Sequence, residues 1–289
     1  MKLFDTHTHF DEPEFDADRL TLAQAAKAAG VEALVLVGYV EQHFERLLQV
    51  QAELEAARKS NCATTAQAHT ELPKTFAALG LHPAYVHKHE RSHLGELEGL
   101  LPHCLALGEI GLDTFTDSLK AQLPKQREFF AAQLELAAQH NKPVLLHIRK
   151  AHADVLHMLK SIKNAGARGQ FTGVAHSFSG GEQEAKAFVD LGFKLGVTTQ
   201  ITNPGAKKLQ RAVRAVGARH LVVETDCPDM MPFHLHEAGG TNRNTPENLL
   251  HGLRSLAEVL SMDAQDLSET LWQNSLEALC LRPDLTPKH

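Results

Sequence analysis

Eight short apolar runs rich in β-favouring residues recur along the chain, each followed by a stretch of helical periodicity. They are Leu3 to Thr6, Ala33 to Val37, Phe76 to Leu81, Cys104 to Gly108, Val144 to Ile148, Thr172 to Ala175, Phe193 to Val197 and Leu221 to Glu224. Segments rich in Ala, Leu, Gln, Glu and Lys fall at 17–29, 42–59, 90–101, 121–140, 152–164, 181–191 and 205–217, and two more at 246–260 and 264–280. Strands with continuous apolar runs are buried on both faces, as in a parallel sheet wrapped by helices. Eight such units in 289 residues predict an α/β fold, a closed (β/α)8 TIM barrel forming a single domain over 1–289. A doubly wound open sheet is the alternative. It is weakened because no Gly-x-Gly-x-x-Gly or phosphate-loop pattern follows the first run.

Local signals support several boundaries. Gly30, Gly166 and Gly217 follow helical runs, where a residue of permissive φ ends a helix at little cost, and Asn244-Thr245-Pro246 marks the start of the penultimate helix. The polar segment Ser60 to Leu72 reads as an extended loop rather than a domain boundary, since the strand count needs both sides. There is no internal repeat or Pro/Ser linker.

With 43% hydrophobic residues the chain has enough material for one sizeable core. The cysteines, Cys62, Cys104, Cys227 and Cys280, lie far apart without Cys-x-x-Cys spacing, which predicts free thiols in a reducing, cytoplasmic setting. The N-terminus carries charge and histidine where a signal peptide needs an apolar core, and no apolar run reaches membrane-spanning length. A net charge of -6 argues against electrostatic wrapping of nucleic acid, but not against an end held by metal ions. With 6% aromatic residues and one Trp, no stacking platform for long single strands is evident.

In a (β/α)8 barrel the active site lies at the C-terminal ends of the strands, so what each run finishes with is informative. The first ends in His7 and His9, whose spacing puts both imidazoles on one face of an extended backbone. The third ends in His82, the fourth in Glu109, the fifth in His147 and Arg149, the sixth in His176, and the eighth in Glu224 and Asp226. His7, His9, Glu109, His147, His176 and Asp226 form a ligand set suited to zinc, manganese or magnesium-type divalent ions, more than one tetrahedral ion needs. Two ions account for the surplus: one on His7, His9 and Asp226, the other on His147 and His176, with Glu109 between them. His82 and Arg149 are candidate phosphate contacts. The structural alternatives pair Arg149 with a carboxylate such as Asp113 and have His82 cap the turn at Pro83. Glu224 is expected to orient a ligand or the water. The remaining groups, His87, His89, His93, His152, His157, His234 and His236, are expected on the solvated surface.

These motifs, Asp5-Thr6-His7-Thr8-His9, Leu79-Gly80-Leu81-His82-Pro83, Gly108-Glu109-Ile110-Gly111-Leu112-Asp113, His147-Ile148-Arg149, His176-Ser177-Phe178-Ser179-Gly180, Glu224-Thr225-Asp226 and Arg243-Asn244-Thr245-Pro246, resemble those of the TatD family of metal-dependent deoxyribonucleases and hydrolases, within the amidohydrolase-like superfamily. The resemblance implies the barrel, two metals on the six ligand positions, and phosphodiester hydrolysis, often from a 3′ end of single-stranded DNA or RNA. Glu109 stands where many relatives in the superfamily use a carboxylated lysine. Cys227 after Asp226 and the Ser60 to Leu72 loop depart from the usual pattern. A metal-activated water is the expected nucleophile, with Asp226 as general base and Glu109 bridging. Single-stranded ends or small phosphodiesters are the expected substrates, with no membrane partner. Hydrolysis of a small-molecule amide, ester or lactone, and metal binding without turnover, are the competing readings.

Overall fold

The computed structural model describes residues 1–62, 71–164, 171–237 and 242–288. Eight parallel strands, β1 (Leu3–Thr8), β2 (Val31–Val37), β3 (Lys74–Leu79), β4 (Ala106–Asp113), β5 (Val144–Arg149), β6 (Gly173–Ala175), β7 (Phe193–Val197) and β8 (Leu221–Val223), pair in sequence order and close on themselves into a TIM barrel. Helices follow the strands around the outside, among them Arg19–Ala28, Phe44–Cys62, Leu123–Gln139, His152–Asn164 and Lys207–Val216.

Alternation within each strand divides the core. Along β2, Leu34 and Leu36 pack outward with the helices, whereas Ala33, Val35 and Val37 join Phe4, Ala78, Ala106, Leu145, Val174 and Val222 inside the barrel. Leu276, Leu279 and Leu281 from the end of the chain pack against this inner set, and Trp272 sits 5.8 Å from Phe4. The N-terminal end of the barrel is thus plugged with apolar side chains, which leaves the C-terminal end for polar ones.

Several expectations need adjustment. β4 does not stop at Gly108 but runs on to Asp113, so Glu109 lies inside the strand, where the pairing to β5 slips between Leu107 and Ile110. β3 ends at Leu79, leaving His82 in the following loop. Short helices at Asp117–Ala121 and Phe233–Glu237 were not anticipated, and Pro246–Asn248 forms a 3-10 turn ahead of the helix Leu249–Leu260. Residues 60–62 of the expected loop continue the helix Phe44–Cys62; 63–70 lie outside the described residues, as does Gly166. Gly217 adopts φ 76° after its helix, as a terminating glycine should. Two histidines expected on the surface are buried: His89 is 1% exposed and His152 is 8% exposed. Both pack against phenylalanine rings, His89 on Phe129 and His152 on Phe178. No described helix is long and apolar enough to cross a membrane.

β8 meets β1 through a single registered pair, Asp5 with Val223, and a buried carboxylate reinforces the seam. Asp5 Oδ1 accepts from the Thr225 amide at 3.0 Å and Oδ2 from the Thr225 hydroxyl at 2.5 Å. Burial outweighs these bonds and lifts the Asp5 pKa to about 7. Replacing Asp5 with Ala strands buried donors at about 1–3 kcal/mol each, so Asp5→Ala is expected to lose about 2–5 kcal/mol in urea denaturation. Burial also pushes the Cys104 thiol up to about 12, and it raises Cys227, which is 0% exposed. Neither thiol is a competent nucleophile. Iodoacetamide at pH 8 should therefore leave Cys104 and Cys227 unmodified in the native protein and alkylate both in denaturant, as read by peptide mass spectrometry.

Candidate metal centre

Glu109 is 3% exposed and stands in the middle of the mouth. Its carboxylate lies 2.7 Å from His147 Nδ1, 3.3 Å from His7 Nε2, 3.3 Å from His82 Nε2, 3.9 Å from His9 Nε2 and 3.9 Å from His176 Nε2. Burial opposes its ionisation, but the fields of His82, His7 and His176 and the hydrogen bond from His147 prevail and hold its carboxyl well below the usual range. Asp226 joins from the far side, with Oδ1 at 3.5 Å from His176 Nε2, 3.7 Å from His9 Nε2 and 3.8 Å from His7 Nε2. At Asp226 the backbone turns through the left-handed region, φ 56°, which a short polar residue tolerates better than most.

Each imidazole except that of His7 has a neighbour placed to orient it. His9 Nδ1 lies 2.8 Å from the Val37 carbonyl, an acceptor only, so Nδ1 carries the proton and Nε2 offers a lone pair to the mouth. His176 Nδ1 lies 3.0 Å from Glu224 Oε1, and Glu224 is itself fixed by the Ser177 amide at 2.6 Å and the Thr6 hydroxyl at 3.2 Å. A Cβ at Gly196 would collide with that carboxylate, so the glycine in β7 makes room for it. His147 sits between two carboxylates, Nδ1 toward Glu109 and Nε2 3.0 Å from Asp113 Oδ2. Burial lowers its basicity, yet the hydrogen bonds to Asp113 and Glu109 raise its pKa to about 9. His82 is the reverse case: Nδ1 accepts from the Ala84 amide at 3.0 Å, so Nε2 carries the proton and donates. Burial and the neighbouring His147 bring its pKa down to about 4.

Three groups of ligand atoms lie close enough to share an ion: His7, His9 and Glu109; His7, His176 and Asp226; and His82, Glu109 and His147. In this grouping His176 lies with His7 and Asp226, and His147 with His82 and Glu109. His176 stacks on His7 with ring centroids 3.4 Å apart and belongs with Asp226, while the paired carboxylates of Glu109 and Asp113 draw His147 toward His82. The residues fit a cation on two counts. Both nitrogens of His7 are buried without a hydrogen-bond partner, a costly state for an imidazole that faces two carboxylates. Donors about 2.0–2.1 Å from a tetrahedral ion lie roughly 3.3 Å apart, close to the separations found here.

Around these groups opens a cavity of about 960 Å³. Its lining includes six carboxylates, Glu12, Glu14, Glu109, Asp113, Asp226 and Asp229, against one guanidinium, Arg149. Arg149 lies 3.6 Å over the ring of Phe115, which is 50% exposed, and has no ion-pair partner among the described residues. The alternative that pairs it with Asp113 is not what forms. His82 both caps its turn and faces the cavity. Cys227 is packed away, its Sγ 2.7 Å from the Thr8 hydroxyl. His234 packs at a tilt against His251, ring centroids 4.7 Å apart, outside the ligand groups.

The sequence model of the family described as TatD related DNase matches residues 4–279. The chain belongs to that family. An uncharacterised metal-dependent hydrolase of Haemophilus influenzae is 34% identical to this TatD family member over 96% of the chain and 99% of its own length. A protein of Pantoea vagans named 3′-5′ ssDNA/RNA exonuclease TatD is 29% identical, covering 94% of this chain and 97% of its own. The crystal structure of the Escherichia coli TatD homologue YjjV superposes with a TM-score of 0.82 at 31% identity, over 97% of this chain and 98% of that one. Membership makes the chain a metal-dependent hydrolase, which sets aside metal binding without turnover.

Two positioning residues escaped the sequence reading. Gln126 and Gln133, seven apart and so on one face of the helix Leu123–Gln139, are both buried. Gln126 takes the Asp113 amide and carbonyl, both at 2.9 Å; Gln133 takes the Leu81 amide at 2.7 Å and carbonyl at 3.2 Å. They fix the backbone beside His82 and under the partner of His147. Two glutamines on an otherwise apolar helical face were the available signal. Gln133→Leu keeps the volume and strands two backbone groups, so a stability loss of about 2–4 kcal/mol is expected. Metal titration of the folded variant should also show weakened affinity, on the order of tenfold, as for other lost supports of a ligand shell.

Proposed function

We propose that this TatD family hydrolase is a phosphodiesterase acting on ends of single-stranded DNA or RNA, or on small phosphodiesters, with two divalent ions held by His7, His9, Glu109, His147, His176 and Asp226. The observation that carries the reading is Arg149: a guanidinium lining an acidic cavity, braced on Phe115 and without an ion-pair partner among the described residues. A planar fork of this kind suits a phosphate, whereas a neutral amide or lactone has little use for it. The proton on His82 Nε2 adds a donor on the same side. The name of the Pantoea vagans relative points the same way.

Divalent ions in this ligand set supply Lewis acidity, lowering the pKa of water and offsetting charge on the phosphoryl oxygens. The protein's own groups do the rest. Asp226 stays ionised because the field and hydrogen bond of His176 and the fields of His7 and His9 outweigh its burial, and it accepts the proton of the attacking water. Glu109, whose carboxylate faces the imidazoles of both halves of the ligand set, would help to hold ions in either half. Glu224 and Asp113 hold His176 and His147 in place, while His82 and Arg149 take the phosphate oxygens.

Chelation with EDTA is expected to abolish hydrolysis and Mn²⁺ or Zn²⁺ to restore it. In a panel of single-stranded DNA, RNA, small phosphodiesters and small amides, the phosphodiesters should be turned over fastest; a much faster amide or lactone overturns the reading. Asp226→Asn should lower kcat by about 10²–10⁴-fold while metal analysis still finds ions bound. Near-normal turnover with both metals in place assigns the base elsewhere.

A further inference from the structure

The cavity is not uniform around its rim. On one side Glu12 and Glu14, from the loop after β1, and Asp229, from the loop after β8, line it. These loops are neighbours because β8 and β1 close the barrel. Glu14 and Asp229 are exposed, and no cation pairs with Glu12, Glu14 or Asp229 among the described side chains. The nearby Arg243 is paired with Asp18, at 2.5 Å and 3.1 Å, and reaches Glu14 only through its backbone carbonyl, at 2.6 Å.

Beside this acidic arc stand Tyr39 and Tyr85, the two tyrosines of the whole chain, with ring centroids 5.0 Å apart. Tyr39 donates to Glu12 Oε1 at 2.7 Å, which fixes that carboxylate at the edge of the aromatic wall. Burial and the charges of Glu12, Glu109 and Asp229 raise the Tyr85 pKa, so its hydroxyl keeps its proton. Across the ligand groups stand Phe115, just after β4, and Arg149, the last residue of β5. The acidic and tyrosine-lined side suits a group that is uncharged, has an apolar ring and offers hydroxyl donors. The guanidinium side suits an anion.

Resting on the phosphodiesterase reading above, we propose that the cavity selects strands by their end group: the terminal nucleoside, with a free hydroxyl, lies along Tyr39, Tyr85 and the acidic arc, and the continuing polyanion leaves past Arg149. A terminal phosphate would be set against Glu12, Glu14 and Asp229 and is disfavoured by like charge. A free nucleoside hydroxyl instead finds carboxylate acceptors there.

The test uses the metal-loaded enzyme and matched single-stranded oligonucleotides that carry a hydroxyl or a phosphate at the 3′ end, and a second pair varied at the 5′ end. At the end from which the enzyme degrades, kcat/KM for the hydroxyl form should exceed that for the phosphate form by tenfold or more. Because Glu14 and Asp229 are exposed, the double variant Glu14→Gln/Asp229→Asn tests the arc without disturbing the core, and the ratio should fall to within threefold. Arg149→Ala should lower kcat/KM for both forms and leave the ratio standing. Equal use of the two ends by the wild-type enzyme, a preference for the phosphate, or a ratio unmoved in the double variant overturns the end-group assignment while the phosphodiesterase reading stands. If no oligonucleotide or small phosphodiester is hydrolysed, that reading falls first and takes this one with it.

Discussion

A buried carboxylate left without compensation is among the most expensive groups a protein can carry, and Glu109 is a buried carboxylate in the interior of a strand. The fold compensates it from several directions. Imidazoles arrive from β1, the loop after β3, β5 and the turn after β6, and each needs its own strand to end at the same height. A closed parallel barrel is one of the few architectures in which residues so far apart in sequence meet at one rim. The apolar plug of Phe4, Leu276 and Leu279 at the other end supplies the stability that such a polar rim does not.

Precision at the rim comes from a second layer of groups that act on the outer nitrogens of the rings. Val37 carbonyl, Glu224 and Asp113 face His9, His176 and His147, and the Ala84 amide faces His82. The identity of the partner decides the role of the ring. A carbonyl or carboxylate behind the ring leaves the front nitrogen free to bind a cation, whereas an amide N–H behind it puts the proton in front. His82 therefore differs from its neighbours although, at 3.3 Å, it lies as close to Glu109 as His7 does: its front nitrogen is a donor, suited to an anionic substrate rather than to an ion.

Most of this was readable in the sequence where a residue's type and its place in the βα alternation both pointed to the rim. His7, His9, His147, His176 and Asp226 are of that kind. Glu109 was legible as a residue of the rim but misplaced along its strand, because a glutamate after an apolar run looks like the end of a strand, and only the pairing slip shows β4 continuing to Asp113. Gln126 and Gln133 were not legible, since glutamine on a helix ordinarily faces water, and nothing local reveals that two loop backbones lie against it. His89 and His152 were assigned to the surface for the same reason: burial of a polar ring depends on what packs over it, here Phe129 and Phe178. The pairing of Tyr39 with Tyr85 arises because β2 and β3 are adjacent, a tertiary fact that low aromatic content conceals.

The charge of the cavity ties metal content to substrate binding. The six carboxylates of the lining outnumber Arg149 by five charges, which the raised basicity of His147 and His176 offsets only in part, and a phosphodiester approaching that surface is repelled whatever donors await it. Two divalent ions would leave a deficit of about one charge, which Arg149 and the proton on His82 can turn locally in favour of a phosphate oxygen. Ions in such a site would do more than activate water: they would cancel most of the field that the ligand carboxylates impose. Affinity for an anionic substrate and occupancy of the ligand set are then one linked quantity. A substitution that loosens Glu109 or its supports is felt in binding as well as in turnover, even where it touches no part of the substrate.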